Sequence, residues 1–285
     1  MAEKYLDVME LAKQRELAKR FAQLHRSGKL LVLPNAWDTG SAVMFEKAGF
    51  HALGTTSAGM AYSLGYPDGE HIEFKDILNC SSRILKRISL PLSVDVETGY
   101  SRTLEGAVDN VKKIIKRGAV GINIEDGVLG ADPELTATGS QVKLIKALAN
   151  LKAELEIPFF INARTDVYWL DIGEKSARLG LATERAHAYA EAGADGIFIP
   201  GRLDRESIRT LTRDLPLPLN LIATPDSLSF KELEALGVAR LSLGSALVRA
   251  SLGLIQAVAS DLKGGSFKAM MDTSLSYQTA NELFV

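Results

Sequence analysis

A single cysteine, Cys80, in 285 residues excludes an intramolecular disulfide and any Cys-x-x-Cys metal or redox pair, and points to a reducing compartment. No run approaches the ~18 consecutive apolar residues of a membrane span. The N-terminal stretch MAEKYLDVMELAKQRELAKRF is charged throughout and lacks the apolar centre of a secretory signal, so a cytoplasmic protein with no membrane partner is expected. Neither sign of charge dominates. The 33 basic and 35 acidic residues are mixed along the chain, which offers no basic stripe to nucleic acid or anionic lipid and leaves a small molecule as the expected partner. There is no Pro- or Ser-rich linker and no low-complexity tract, and the apolar content of 46% is that of an ordinary globular protein. One domain over 1–285 is the simplest reading.

What is present is a repeated grammar. AGFHALGTT from Ala48, RGAVGINIE from Arg117, AGADGIFIP from Ala192 and LGVARLSLG from Leu236 each read as a helix stopped by Gly and followed by an apolar, β-rich run. LPLSVDVE from Leu90, IPFFINAR from Ile157 and LPLNLIAT from Leu217 alternate with them, and here Pro ends the helix and opens the strand. With KLLVLPNAWD near Lys29 this makes eight strand candidates separated by helical stretches, the pattern of a (β/α)8 TIM-type barrel. A doubly wound open sheet would carry a glycine-rich phosphate turn after its first strand, and PNAWDTGS is not one. Residues 1–28 read as an extra helix capping the closed end, 29–250 as the barrel, and 251–285 as a C-terminal helical segment with exposed apolar character.

Barrel active sites lie at the C-terminal ends of the strands, and here those ends are polar. Alternation places Ser93, Asp95 and Glu97 on one face of the third strand, Asn123 and Glu125 on one face of the fourth, and Asn162 and Arg164 on one face of the fifth. Three carboxylates converging at one mouth repel unless a hard cation with oxygen ligands lies among them, and Mg²⁺ leads. Arg164 then suits a substrate carboxylate or phosphonate. A lone acid pair is more often a solvated loop or a helix cap; three adjacent strands ending in acid, acid and arginine are harder to reach by chance. Asp126 and Asp166 read as first-turn caps. The small residues Thr55 to Gly59 suit either close approach of backbone N–H groups to a ligand or tight loop packing. None of the four histidines reads as a metal ligand, and Cys80 reads as packed.

With these residues in view, the chain resembles the isocitrate lyase and phosphoenolpyruvate mutase superfamily. PNAWD, the loop ending in SLGYPD, SVDVETGY, GINIEDG, NARTD and GADGIFIP appear in order across nearly the whole barrel. The resemblance implies an α/β barrel, a homo-oligomer (a tetramer exchanging its last helices, or a dimer), and chemistry through a Mg²⁺-held enolpyruvate, with Mn²⁺ as a substitute ion. Carried over by motif, Asp95 is the principal metal ligand, Glu97 stands where Asp is frequent, and Glu125 holds metal-bound water. Arg164 is the anion clamp, the backbone of Ser57 and Ala58 with Thr56 cradles a 2-oxo acid, and Asn123 joins the substrate-binding set. Asp68 steadies the water shell, and Tyr100 is a candidate proton donor.

The departures narrow the chemistry. Family lyases that cleave isocitrate or methylisocitrate carry a catalytic cysteine in a KKCGH segment after the fourth strand, and phosphoenolpyruvate mutases carry Lys and Asn there. Here the loop at 126–141 reads DGVLGADPELTATGSQ, with no Cys, His, Lys or Asn. It retains Gly127, Gly130 and Gly139 and so suits a lid. The resemblance therefore implies a Mg²⁺-dependent carbon–carbon lyase acting on a small 2-oxo or 2-hydroxy acid. Oxaloacetate decarboxylation is favoured because CO₂ leaves unprotonated. The alternatives are a substituted-malate or (methyl)isocitrate-type lyase, a phosphonopyruvate or phosphoenolpyruvate mutase, and, in another class, a non-catalytic barrel that binds a 2-oxo acid. A Schiff-base aldolase would need a Lys at a strand end, and none is found.

Overall fold

The computed structural model describes residues 2–130 and 132–285, with the side chains of residues 2–8 left aside. In chain order it forms α1 (Ala2–Leu24), β1 (Leu31–Leu33), β2 (Asn35–Ala36), α2 (Thr39–Lys47), β3 (Leu53–Thr55), α3 (Ser57–Ser63), α4 (Phe74–Leu85), β4 (Leu92–Asp95) and α5 (Leu104–Lys116). There follow β5 (Gly121–Glu125), β6 (Gly127–Val128), β7 (Glu134–Leu135), α6 (Thr138–Leu155), β8 (Phe160–Arg164), α7 (Arg178–Glu191), β9 (Gly196–Phe198) and α8 (Arg205–Asp214). The chain ends with β10 (Leu219–Ile222), α9 (Phe230–Ala235), β11 (Arg240–Ser242), α10 (Ala246–Lys263), α11 (Lys268–Thr273) and α12 (Tyr277–Glu282).

All eight expected strands are present, in a parallel sheet ordered β1-β11-β10-β9-β8-β5-β4-β3-β2. Its two ends are halves of one strand: β1 pairs with β11 and β2 pairs with β3 on either side of Pro34, which has no N–H to give to a ladder. The ring closes through that interrupted strand, which makes the fold a (β/α)8 barrel. The helix-to-strand glycines do what the pattern implies. Gly49, Gly118, Gly193 and Gly237 all take positive φ, between 84° and 110°, the left-handed conformation that ends a helix and that a Cβ disfavours.

The expected extra helix covers the N-terminal end of the barrel. Gln14 Nε2 on α1 donates to the carbonyls of Ile115 and Ala119 at 2.7 and 2.8 Å, while Phe21 and His25 pack on Phe160 with ring centroids 5.6 and 4.1 Å apart. At the other end of the chain, only Val248 of α10 is buried, and Leu252, Leu254, Ile255 and Leu262 are exposed. The tail returns to the barrel wall, where Lys47 Nζ donates to the Glu282 carbonyl at 2.9 Å and Arg87 Nη2 to that of Phe284 at 2.8 Å. Among the described residues, no helix is long and apolar enough to cross a membrane.

Candidate active site

The strand ends deliver their polar residues to one mouth, with one difference from the alternation pattern. β4 stops at Asp95, and Glu97 sits in a turn with φ of +47°, so it leaves the strand face that was expected to carry it. The turn is held by carboxylate bonds. Glu70 N donates to Glu97 Oε2 at 2.8 Å, the Tyr100 hydroxyl donates to Glu97 Oε1, and Glu70 Oε1 in return accepts from Thr98 N, Thr98 Oγ1 and Tyr100 N. Glu70 and Tyr100 also take positive φ, of 58° and 52°. Three non-glycine residues held left-handed within one bonded cluster mark a locally strained turn that its contacts must maintain. Glu70, at the end of SLGYPDGE, is a site residue that the sequence reading missed.

Asp95 is 8% exposed. Its Oδ2 accepts from Ser57 N at 3.1 Å and from Ser57 Oγ at 2.9 Å, and its own N–H donates to Thr55 Oγ1 at 2.9 Å. The small residues before and within α3 thus first of all hold Asp95, with Thr56 capping the helix through a 3.2 Å bond from Gly59 N. Asp95 Oδ1 is buried and has no partner.

Arg164 closes the opposite side. Its Nη1 lies 2.6 Å from Glu125 Oε2 and its Nε donates to Asp166 Oδ1 at 2.6 Å, while the guanidinium carbon stands 5.9 Å from the Trp169 ring centroid and 5.7 Å from that of Phe198. Two carboxylates and two aromatic rings fix the fork, whose side chain retains 16% exposure at the mouth. Asp126 and Asp166 are not the helix caps expected of them, since the N-cap positions of α6 and α7 are Ala137 and Ala177, without side-chain cap bonds. Asp166 holds Arg164 instead. Asp126 accepts from Asp166 N at 2.9 Å, from Arg185 Nη1 at 2.9 Å and from the Tyr189 hydroxyl at 2.6 Å. Arg185 and Tyr189, four apart on α7, are the i,i+4 pair that meets Asp126, a spacing visible in the sequence but without a visible target.

The loop at 126–141 forms the antiparallel hairpin of β6 and β7; the lid expectation also spans Ala131, which lies outside the described residues. Thr136 N donates to the Asp126 carbonyl at 2.7 Å, and Arg185 Nη1 donates to the Thr136 carbonyl at 3.0 Å, so the network behind Arg164 also ties down the hairpin base. Asn123 is turned inward, where its Oδ1 accepts from Asn162 Nδ2 at 2.8 Å. Cys80 is packed, its Sγ donating to the Trp37 carbonyl at 3.3 Å, and burial pushes its thiol up to about 11.

Burial raises the carboxylates. It pushes Glu97 up to about 8, with Asp95 adding to the shift, and it raises Glu125 and Asp166 against the pull of Arg164. Asp68 is raised by burial first and Asp95 second, which places it at the same mouth. Among the described residues, no three His, Cys, Asp or Glu side chains stand close enough to ligate one ion directly. Glu97 and Glu125 already carry protein donors, whereas Asp95 keeps one oxygen without a partner. The donor set still fits one divalent cation of the Mg²⁺ type, which takes one or two carboxylates and fills its shell with water and substrate. Asp95 Oδ1 is the free oxygen for it.

Comparison with known proteins agrees with this geometry. The phosphoenolpyruvate phosphomutase family profile matches residues 21–263. An uncharacterised protein of Mycobacterium tuberculosis is 38% identical over 234 residues, 81% of this chain and 84% of its own. The 2-methylisocitrate lyase of Escherichia coli is 31% identical over 257 residues, 85% of this chain and 82% of its own. A crystal structure of a candidate lyase or mutase from Burkholderia cenocepacia superposes with a TM-score of 0.89 at 33% identity, covering 96% of this chain and 97% of that one. The chain belongs to the phosphoenolpyruvate phosphomutase family, within the isocitrate lyase and phosphoenolpyruvate mutase superfamily that its motifs suggest.

Proposed function

We propose that this protein is a Mg²⁺-dependent carbon–carbon lyase acting on a small 2-oxo or 2-hydroxy carboxylic acid, with oxaloacetate decarboxylation as the favoured reaction. The observation that carries this reading is the meeting, at one barrel mouth, of the unpartnered Asp95 Oδ1 with a guanidinium, Arg164, already fixed by two carboxylates. Asp95 would hold the cation directly, and Glu97, Glu125 and Asp68 would reach it through water; Mn²⁺ suits the same donors. When bound, the cation supplies Lewis-acid polarisation of the 2-oxo group.

The chain's own residues do the rest. Arg164 receives the carboxylate retained in the product, its fork presented without reorganisation because Asp166 and Glu125 hold it. Ser57 aligns Asp95, and the main chain from Thr56 to Ala58, with Asn123 beneath, borders the substrate. In the favoured reaction the bond from C3 to the departing carboxylate breaks, CO₂ leaves, and the electron pair passes into the enolate of pyruvate, which water protonates at C3. Tyr100 is a positioning residue here, because its hydroxyl is turned to Glu97. The hairpin of β6 and β7 limits solvent access during the reaction.

A second reading, cleavage of a substituted malate or a methylisocitrate-type acid, is supported by the named Escherichia coli relative, whereas the lid's lack of Cys, His and Lys supports the decarboxylase. Phosphonopyruvate or phosphoenolpyruvate mutase chemistry and a non-catalytic 2-oxo acid-binding barrel are the further alternatives. The exposed apolar residues of α10 support a homo-oligomer, tetramer or dimer, that covers them. The test is pyruvate formation from oxaloacetate with Mg²⁺, with and without EDTA, against the spontaneous and Asp95→Ala backgrounds. Metal-dependent turnover well above both establishes the reaction. No turnover there, with cleavage of 2-methylisocitrate or 2,3-dimethylmalate, establishes the second reading, and metal-dependent binding without product establishes the binding barrel.

A further inference from the structure

Arg240 is the bulkiest fully buried side chain, and nothing in the proposed chemistry uses it. It opens β11, which stands four places from β5 in the ring, so its side chain crosses the barrel to reach the acid-bearing wall. There Nη2 donates to Asn123 Oδ1 at 3.3 Å; Nε donates to Ser242 Oγ at 2.9 Å on its own strand, and Nη1 has no partner. Asn123 is the register partner of Asp95 on one side and of Asn162 on the other. Along this wall three more buried polar atoms lack partners: Ser93 Oγ, Asp95 Oδ1 and Asn162 Oδ1.

A guanidinium removed from water is costly unless an anion answers it. Asp126 and Glu97 have donors on both oxygens, and Glu125 and Asp166 are paired with Arg164, whereas Asp95, held by Ser57 through Oδ2 alone, keeps Oδ1 without a partner. His25, beneath, is a neutral ring and gives no countercharge. Asp95 is the carboxylate that acts on Arg240, opposing the burial that pulls the guanidinium down to about 9, so the group stays a cation at neutral pH. Arg240 Nη1, Asp95 Oδ1 and Asn162 Oδ1 are buried without partners, the latter two on strands in register with Asn123, and buried polar groups left in this way call for ordered water, which takes two to four polar partners.

We infer that Arg240 is the buried counter-charge of Asp95, joined to it through an enclosed water shared by Arg240 Nη1, Asn162 Oδ1 and Asp95 Oδ1, and that it positions Asp95 from below. A carboxylate oxygen has two lone pairs, so a water beneath and a cation above are compatible. Arg240 is a positioning residue, and the use of that positioning rests on the role proposed for Asp95.

The test is a double-mutant cycle on the metal-free full chain, read by urea unfolding in EDTA with Asp95→Asn, Arg240→Met and the double variant. The double variant is expected to have an unfolding constant at least tenfold lower than the two single effects predict together. The control cycle of Arg240→Met with Asp126→Asn is expected to be additive within about twofold. Arg240→Lys, which keeps the charge, should restore the wild-type cost of Asp95→Asn, a rescue that packing alone does not produce. Additivity in the Asp95 cycle, or equal coupling in both cycles, overturns the inference. Where Arg240→Met does not refold, Arg240→Gln takes its place in the same cycles. Because no metal or substrate is present, the outcome is independent of which substrate the enzyme turns over.

Discussion

Arg164 and Asp166, two residues apart at the end of β8, are joined by a 2.6 Å bond from Nε to Oδ1, and the acid is all but fully buried. An arginine held in this way presents its remaining N–H groups to the mouth in one orientation, so the acid acts on the substrate through the arginine. Asp166→Ala leaves Arg164 with Glu125 alone and removes one side of a buried ion pair. A stability loss of roughly 3 kcal/mol is expected, from the cost of breaking such a pair. A fall in kcat/KM on the order of a hundredfold is also expected, from the misplaced clamp. Urea unfolding and steady-state kinetics on whichever substrate the oxaloacetate assay and its alternatives select check the two parts, and an unchanged kcat/KM would remove Asp166 from the site.

Gly127 opens β6 directly against this pair. A Cβ there would overlap Asp166 Oδ2 and lie 2.9 Å from Asp166 Cγ, so Gly127→Ala has to displace the acid that holds Arg164. Overpacking of this kind costs about 1–3 kcal/mol, and the loss of turnover should follow that of Asp166→Ala in direction. Gly139, in the same loop-to-helix segment, has open space around its would-be Cβ and lies in the first turn of α6. Gly139→Ala should therefore be neutral, or stabilise by up to ~1 kcal/mol through helix propensity. Thermal melts and kcat/KM on both variants compare the positions; equal effects would show that the hairpin tolerates a side chain at Gly127.

The barrel and its polar strand ends were legible in the sequence because both depend on local pattern. Helix-stopping glycines and strand-opening prolines mark each junction, and the terminal residues of β4, β5 and β8 stand out as Asp95, Glu125 and Arg164. What the pattern could not supply is who meets whom across the fold. Asp126 resembles a cap until Arg185 and Tyr189 arrive from α7, 59 and 63 residues later. Glu97 continues the alternation of β4 on paper, but the bonds from Glu70 and Tyr100 draw it into a left-handed turn. Arg240 within VARLSLG is a charge inside an apolar run, which is a signal, though its reach across the barrel appears only once the ring is closed. The lid was read from its glycines, yet the fit of Gly127 against Asp166 is set by a strand 33 residues further on that begins at Phe160.

His25 provides a test of the closed end of the barrel by pH. Its Nδ1 bonds to the Phe21 carbonyl at 2.8 Å, its ring stacks on Phe160, and its Nε2 is buried without a partner. Burial, with Arg240 nearby, lowers it from 6.5 to about 3. The folded protein therefore keeps the ring neutral where the unfolded chain has already taken up a proton. Proton uptake by the unfolded state alone makes stability rise with pH, so the contribution is complete above the unfolded value of about 6.5 and is lost as pH falls from there towards 3. Within that window this one group is worth about 1.4 kcal/mol per pH unit. Replacing it by Gln, which has no proton to take up, removes that slope. Urea unfolding of wild type and His25→Gln at several pH values from 7 down to 4.5 should give two stability curves that run parallel near neutrality. They should converge, or cross, below pH 6, because acid destabilises only the wild type through this residue. Curves that stay parallel to pH 4.5 would mean that the ring is protonated in the folded barrel, and that α1 does not seal the floor tightly enough to keep it neutral.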